Sequence, residues 1–555
     1  MRRAVAAILL LAAAACRARH EAPAAATPVA APTPAKAEPG LGFLDGARDG
    51  TPQEGGTLYR RLGGEPTTLN GILQSSAFEA EVLQYVQRNL FDYDASLRQV
   101  PGLAEKLEVS PDGREYVVTL KADGVWEDGK PVTARDVVFT IERIRDPKVP
   151  APVYKSLFED LEQVEALDPR RVRVRFKEPY AFRSMAFVLP VLPEHRFAGQ
   201  RFMSAKDNRA PLSNGPYRLV SWKTQESLEL ERNPRYPWQR GTFDKILFRI
   251  VPDNGTAFRM LMAGQVDENA LDATLKARIE SNPPSDTCCR VVEFYNLDFN
   301  YIALNNRSPL FSDTRVRRAM TMLLDRASLV RDLYRGSARI ISGPWAPDSP
   351  AYDASVEPLP FDPAGAAKLL AEAGWRDTNG NGSLDHDGRE FEFDLLVSAG
   401  SDIGRQIDEM LAAELAKVGV TARVRQMEWS AFVGKVDAGE FDAASLGWSA
   451  GDPNPDPYFY WHSSQCPPNG QNDGCYQSAE ADRLMDEARR TLDADKRTAL
   501  FHRLHKIFRD EAPAIFVVNP TQKFAFTRSI RGVTTSPLGI FGIWPGPLGW
   551  WKKAE

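Results

Sequence analysis

Apolar and polar positions alternate along most of the chain with the two periods that predict strands and helices. Val172, Val174 and Phe176 alternate with arginines, which is the two-residue period of a strand with one buried face. Further along, apolar residues recur every three or four positions, as on one face of a helix, at Ile407, Met410, Leu411, Leu415 and Val418. Segments of both kinds follow each other from Gly56 onward. The pattern predicts a mixed α/β protein with helices packed on sheets.

The start of the chain has the pattern of an export signal. Arg2 and Arg3 precede an unbroken apolar run over residues 4–15. The run is too short to span a bilayer, but it has the length of the apolar part of a signal peptide. It ends at Cys16 in a sequence that resembles a lipobox, with Ala13 where that motif prefers leucine. We predict a signal peptide at residues 1–15 and lipidation of Cys16; the alternative is an ordinary signal peptide with an incidental cysteine.

Composition separates the next segment from the rest. Residues 16–55 are rich in alanine, proline and charge, and they cannot bury enough apolar surface to offset the entropy of ordering. We predict that they form a flexible tether between a membrane anchor and a folded body. No later segment is long and apolar enough to cross a membrane.

Chain length and net charge limit the number of lobes and the class of partner that the folded body can have. A chain of 555 residues is too long for one core, so two or three lobes are expected. Its net charge of −5 argues against nucleic acid as a partner.

Several ordered motifs give the folded body a family resemblance. Residues 125–139 read VWEDGKPVTARDVVF, and they follow a Ser-Pro-Asp-Gly turn within residues 107–116. The chain resembles the family 5 extracellular solute-binding proteins, which are the peptide and nickel receptors of ABC importers. Further matching motifs occur in order at residues 214–217, 232–236, 250–253, 264–267 and 311–319. Together they cover the chain from about Gly56 to the C-terminus.

The resemblance implies the architecture. The fold expected is α/β, the two-lobed periplasmic-binding-protein-like fold of the large type (type II), with an extra subdomain in the N-terminal lobe. Lobe I would span residues 56–292, including an inserted subdomain at about 91–203, and lobe II would span 293–511. Residues 512–555 would return to lobe I. Strand-like stretches at residues 293–305 and 512–519 suit the two crossings between the lobes.

The resemblance also implies the function. The protein would be a monomeric receptor outside the cytoplasm, periplasmic or at the cell surface, that binds a short peptide between its lobes and delivers it to the permease subunits of an ABC importer. No covalent chemistry and no cofactor are required. An oligosaccharide, a nickel complex or haem are the alternative ligands within the same fold.

The candidate ligand site follows Trp448. In peptide-binding members of the family, a tryptophan is followed three residues later by an aspartate that pairs with the α-ammonium group of the ligand. Here the third residue is Gly451, and Asp452 comes one step later; turn chemistry is the alternative role of Asp452. The other candidate ligand contacts are Asn214 and three aromatic residues that are each also compatible with a plain core position: Tyr458, Trp461 and Trp429.

The same stretch matches the G-x-S-x-G pattern of a hydrolase, with Ser449 as the nucleophile. That pattern needs a strand before the serine and a helix directly after it. Pro453, Pro455 and Pro457 follow instead, and a helix does not tolerate three alternating prolines. A secreted serine hydrolase is therefore the distant alternative.

Two further features concern stability. Cys466 and Cys475 bracket a polar loop that a disulfide would close, and export permits disulfides. The pairing of the adjacent Cys288 and Cys289 is left open. Residues 377–385 resemble the first part of a calcium loop, although the twelfth position, normally glutamate, is glycine. The predicted ligands of a structural calcium are Asp377, Asn379, Asn381 and Asp385; a turn rich in asparagine and glycine is the alternative.

Overall fold

The computed structural model describes residues 44–281, 289–449, 453–467 and 470–553. The predicted signal peptide, Cys16, most of the predicted tether, Cys288 and Asp452 lie outside these ranges.

The helices in the described part of the chain range from single turns to more than four turns. In chain order they are α1 (Ala77–Val86), α2 (Ala134–Arg145), α3 (Glu194–Phe197), α4 (Asn254–Met262), α5 (Ala273–Glu280), α6 (Thr314–Met322), α7 (Arg326–Ser328), α8 (Pro363–Glu372), α9 (Asp402–Lys417), α10 (Trp429–Ala438), α11 (Tyr458–Trp461), α12 (Ala479–Arg490) and α13 (Ala494–Glu511). None of them is long and apolar enough to cross a membrane.

The strands alternate with these helices along the described chain. They are β1 (Thr57–Leu62), β2 (Phe91–Tyr93), β3 (Gln99–Pro101), β4 (Ala104–Val109), β5 (Glu115–Leu120), β6 (Leu161–Ala166), β7 (Arg171–Phe176), β8 (Tyr217–Lys223), β9 (Ser227–Arg232), β10 (Lys245–Ile250), β11 (Glu268–Ala270), β12 (Cys289–Tyr295), β13 (Phe299–Leu304), β14 (Ala338–Ile340), β15 (Asp385–His386), β16 (Arg389–Glu390), β17 (Glu392–Ser398), β18 (Thr421–Met427), β19 (Ala443–Trp448), β20 (Ala514–Thr527), β21 (Ile530–Arg531) and β22 (Trp551–Lys552).

The core packed on the first sheet includes residues from both halves of the chain. The strand order of this sheet is β1-β10-β9-β8, and β1 pairs with β10 in parallel. Its core joins Leu58 and Phe248 from the sheet with Phe526 and Trp550 from the C-terminal segment. The last residues of the chain thus pack beside its first strand.

A second sheet, which we call the insert sheet, lies within the range predicted for the inserted subdomain. Its order is β4-β5-β7-β6, with all pairs antiparallel. Val172, Val174 and Phe176 of β7 are fully buried, so the strand predicted from their alternation is confirmed. Helix α2 packs on this sheet, and a reciprocal capping box between Thr133 and Asp136 fixes its first turn.

The largest sheet carries the second half of the chain. Its order is β11-β20-β13-β19-β17-β18, with β12 and β14 also paired to β20. Helix α9 packs on it through Ile407, Leu411 and Leu415, which are buried as the helical period predicts. Two separate cores thus include opposite ends of β20, as a two-lobed fold requires: Val517 and Val518 belong to one core and Phe526 to the other.

Strand β20 connects these two cores because it changes partner along its length. Its first residues pair with β13, and its residues from Thr521 onward pair with β12. The turn between β12 and β13, at residues 296–298, lies beside this change of partner. We call the turn and the middle of β20 the hinge.

Candidate functional site

A cavity lies at the end of β19, where β13 and the start of β20 also meet. Most of its wall is aromatic or proline side chains, with a few polar groups between them. The lining residues are Phe299, Tyr301, Ala303, Pro344, Trp345, Trp448, Asn454, Pro455, Asp456, Pro457, Tyr460, Trp461, Gln471, Asp473, Gly474, Pro513 and Ala514. Such a surface suits an apolar side chain of a ligand.

Two of the predicted ligand residues form part of this wall. Trp448 ends β19 and packs edge-on against Tyr460, with ring centroids 4.1 Å apart. Trp461 is buried, with its ring centroid 5.5 Å from that of Phe516 and 5.4 Å from that of Phe508. Trp448 is only partly buried, so it is the more accessible of the two. Trp461 joins the cavity wall to the aromatic residues packed beneath it.

Residues 453–457 are the next described part of the chain after Ser449, and three of them are prolines. Residues 453–457 form no helix, and each proline removes a backbone donor. The Trp345 indole N–H donates to the Pro455 carbonyl at 2.9 Å. The Tyr458 N–H donates to the Asp456 carboxylate at 3.1 Å, next to the first turn of α11. These contacts fix the segment as one wall of the cavity.

Asp456 is the charged group whose partners are best defined in this wall. Its side chain is 6% exposed, and its Oδ2 lies 3.1 Å from Arg489 Nε. The hydroxyl of Tyr180, which comes from the range of the inserted subdomain, donates to the same oxygen at 3.0 Å. Burial raises the pKa of Asp456, and the charge of Arg489 opposes that shift. The wall thus contains a carboxylate held by two separate parts of the chain.

Asp456, Arg489 and Tyr180 carry no local sequence signal of a ligand site. Asp456 lies between two prolines and is typical of a turn residue, and 276 positions separate it from Tyr180. Only the fold brings these residues together.

The chain is similar in sequence to known solute-binding proteins. The sequence profile of the bacterial extracellular solute-binding proteins, family 5 (middle domain), matches residues 98–470. The oligopeptide-binding protein AppA of Bacillus subtilis is 30% identical over 504 residues, which cover 88% of this chain and 90% of that protein. The chain belongs to family 5 of the bacterial extracellular solute-binding proteins.

Two further comparisons extend over the same range. The haem-binding protein A of Haemophilus influenzae is 25% identical over 494 residues, covering 84% of this chain and 87% of that protein. The solved structure of Bacillus subtilis AppA in complex with a nonapeptide superposes with a TM-score of 0.74 at 28% identity, covering 91% of this chain and all of that one. The two-lobed type II fold expected from the sequence is therefore confirmed, and the family consists of extracellular receptors that bind solutes.

Three further predicted ligand residues of this family 5 protein, Trp429, Asn214 and Tyr458, lie outside the cavity wall just described. Trp429 is 52% exposed at the first position of α10, where it stacks on Phe432. Asn214 is buried, and its side-chain oxygen accepts the Arg88 N–H at 2.8 Å. Tyr458 stacks on His462, with ring centroids 4.2 Å apart. Their roles in ligand binding stay predictions, as does that of Asp452.

The loop after Trp461 is closed by the disulfide that the sequence suggested. Cys466 and Cys475 are bonded, with their Cα atoms 4.7 Å apart. Gly474, next to Cys475, lies against the cavity, and its carbonyl accepts the Asn306 N–H at 2.8 Å. The disulfide thereby closes the loop just before α12, and Gly474 joins this loop to the residues that follow β13.

The predicted calcium loop has side-chain oxygens that bond to its own chain. Asp377 accepts N–H groups from Gly380 and Gly382, at 2.7 and 3.0 Å. Asp385 accepts from the backbone and hydroxyl of Thr378. In the described ranges, no group of three histidine, cysteine, aspartate or glutamate side chains is arranged to hold a metal ion. Calcium binding here stays a prediction of the sequence.

Ser449 follows β19 directly and is exposed. The described residues after it, from Pro453 to Pro457, contain no helix, whereas a nucleophile elbow turns from its strand straight into one.

Proposed function

We propose that this protein is the extracytoplasmic substrate-binding component of an ABC importer, and that it binds short peptides between its two lobes. The observation that carries the proposal is the similarity, over nearly the whole chain, to an oligopeptide-binding protein whose structure contains a nonapeptide. The aromatic cavity beside Trp448 supports it, since such a wall packs side chains of varied shape and excludes water.

Lobe closure links binding to delivery. A ligand that contacts both lobes favours the arrangement in which both are within reach, so binding shifts the receptor toward its closed state. The permease subunits would then distinguish closed receptors from open ones. This mode of action requires no covalent step, and we infer that the protein is not an enzyme.

Asp452 is the proposed anchor for the α-ammonium group of the peptide. A carboxylate in a closed cleft binds a primary ammonium strongly, because the bond is charge-assisted. N-acetylation of a bound peptide should therefore weaken binding to the same extent as Asp452→Asn. In the Asp452→Asn variant, acetylation should have no further effect. Equal sensitivity to acetylation in both proteins would remove Asp452 from the site.

We further propose that the mature protein starts at a lipidated Cys16 and acts as a monomer held at the membrane by its tether. Mass spectrometry of the N-terminal fragment from the native host tests this, since a diacylglyceryl cysteine adds the mass of its acyl chains. An unmodified fragment that spans Cys16 would contradict the anchor and leave the receptor proposal intact.

Mass spectrometry of the small molecules released when the native protein is denatured tests the ligand class. Tight receptors retain their ligand through purification, because high affinity comes mostly from slow dissociation. We expect a set of short peptides. Release of a sugar, a nickel complex or haem would mean that the ligand is one of the alternatives bound by the same fold and not a peptide. Cleavage of added peptides that is lost in Ser449→Ala would instead establish a hydrolase.

A further inference from the structure

Residues 180–182 form a contact between the insert and the second half of the chain. They follow β7 of the insert sheet, and they lie against α12, α13 and the proline-rich wall of the cavity. The Ala181 N–H donates to the Arg489 carbonyl at 2.8 Å, near the last turn of α12. We call Tyr180, Ala181, Asp456 and Arg489 the latch.

The polar centre of the latch is one carboxylate oxygen with two partners. The Tyr180 hydroxyl donates a hydrogen bond to Asp456 Oδ2. Arg489, in the last turn of α12, pairs with the same oxygen. The Arg489 guanidinium also lies 5.1 Å from the Tyr180 ring centroid and 4.0 Å from that of Tyr458. The hydrogen bond from Tyr180 connects the insert to the cavity wall.

An apolar contact completes the edge of the latch. Phe182 is 9% exposed, and its ring stacks on Phe501 of α13, with centroids 6.1 Å apart. The Arg497 guanidinium also lies over the Phe182 ring, 4.8 Å from its centroid. This packing shields the Tyr180–Asp456 bond from water, which strengthens a charge-assisted hydrogen bond.

We propose that Tyr180 is a positioning residue that holds the lobes closed over the cavity by hydrogen bonding to Asp456 in the cavity wall. This inference rests on the proposed function, because it assigns the latch to the ligand-bound state. A bond that exists only when the lobes are closed slows opening and leaves the first encounter with ligand unchanged. Tyr180 would therefore set the residence time of the ligand without touching it.

Amide hydrogen exchange at Ala181 tests the latch, since this N–H is protected by Arg489 only while the two parts are in contact. The proteins to compare are the wild type, Tyr180→Phe and the control Tyr116→Phe. Tyr116 is a buried tyrosine of the insert sheet whose hydroxyl donates to Gly113 within the insert. Each protein is measured alone and with a synthetic pool of mixed-sequence nonapeptides.

When the pool is present, we expect Ala181 to exchange about tenfold faster in Tyr180→Phe than in the wild type, because a hydrogen bond to a charged group is lost. Without the pool, the difference should be smaller, because the ligand-free lobes close less often. The amides of β5 and the midpoint of thermal unfolding should not change, and Tyr116→Phe should behave as the wild type at Ala181. Equal exchange at Ala181 in Tyr180→Phe and the wild type would overturn the latch.

The two proposals fail in different ways. If the pool slows Ala181 exchange in the wild type, while Tyr180→Phe matches the wild type throughout, the receptor proposal stands and the latch is wrong. If the pool binds to neither protein, the peptide proposal is wrong, and faster exchange in ligand-free Tyr180→Phe would still support the latch.

Discussion

The two lobes meet at the hinge and at the latch, and these two contacts are built differently. At the hinge, β20 pairs through its backbone with β13 on one side and with β12 on the other. At the latch, one tyrosine hydroxyl, one backbone amide and one ring stack make the contact. Continuous strands persist when lobes rotate, whereas a contact of this kind between side chains breaks and reforms. The hinge therefore joins the lobes in every state, and the latch distinguishes the states.

Buried polar groups stabilise the hinge further. Asn519 is fully buried, and its amide donates to the carbonyls of Asn296 and Asp298, at 2.8 and 2.7 Å. Its side-chain oxygen accepts from Arg339 Nη2 at 2.6 Å. One side chain thus binds the turn between β12 and β13 to the middle of β20.

The largest expected effect is at Asn519. Asn519→Ala leaves two carbonyls without their donor and takes one of its two acceptors from Arg339, which still pairs with Asp348, so we expect the free energy of unfolding to fall by about 3 kcal/mol. Urea unfolding measures this. Gln200→Ala, at an exposed position after α3, is the control and should change the free energy by less than about 0.5 kcal/mol. A loss below about 1 kcal/mol in Asn519→Ala would mean that strand pairing alone maintains the hinge.

The second prediction concerns the charge of Glu293 at the hinge. Burial alone would raise the pKa of Glu293, but hydrogen bonds from Lys276 and Thr521 lower it to about 2. An acid with a lowered pKa stabilises the fold above its unfolded pKa, and this contribution is lost as the pH falls through the folded value. We expect Glu293→Gln to be less stable than the wild type by roughly 2 kcal/mol at pH 7, and the difference to shrink between about pH 4.5 and pH 2.

Urea unfolding across that pH range checks the prediction. Glu280→Gln is the matched control, because Glu280 lies 3.5 Å from the same lysine but is 55% exposed. It should lower stability by less than about 0.5 kcal/mol. A pH-independent difference between Glu293→Gln and the wild type would show that the carboxylate acts by shape and not by charge.

The smallest expected effect on stability is at the latch. Tyr180→Phe keeps the ring and removes one hydroxyl, so the free energy of unfolding should change by less than about 1 kcal/mol. Dissociation of a bound peptide should nevertheless become several-fold faster. In a double-mutant cycle with Asp456→Asn, the two effects on dissociation should not add, because both substitutions change the same bond. Additive effects on dissociation would show that Tyr180 and Asp456 act independently of each other.

Local sequence determines some elements of the hinge and the insert but not the contacts between them. Strands β5 and β7 and helix α9 were predictable, because local period and capping residues decide them. The stretches predicted to cross between the lobes, 293–305 and 512–519, contain β12, β13 and the start of β20. Their β-branched and aromatic composition is a local signal. That signal gives neither the partner exchange along β20 nor the role of Asn519, since both depend on which strands lie side by side.

The candidate site was predictable in part for the same reason. Trp448 belongs to a segment with family resemblance, Trp461 was selected as an aromatic residue close to it in sequence, and both line the cavity. Trp429 was selected as an aromatic residue nearby in sequence, but the helical phase of α10 leaves it exposed. The latch could not be predicted, because Tyr180 follows a strand of the insert, and its partner lies 276 residues further on. Nothing in either local sequence identifies the other.

Small-angle X-ray scattering of the wild-type protein, before and after saturation with a nonapeptide pool, tests the central claim most directly. The account predicts that the radius of gyration decreases when peptide binds, because the lobes rotate about an intact hinge until the latch forms. The ligand-free Tyr180→Phe variant should have a radius at least as large as that of the ligand-free wild type. An unchanged radius of gyration in a wild-type sample with bound peptide, as measured by calorimetry, would contradict the account.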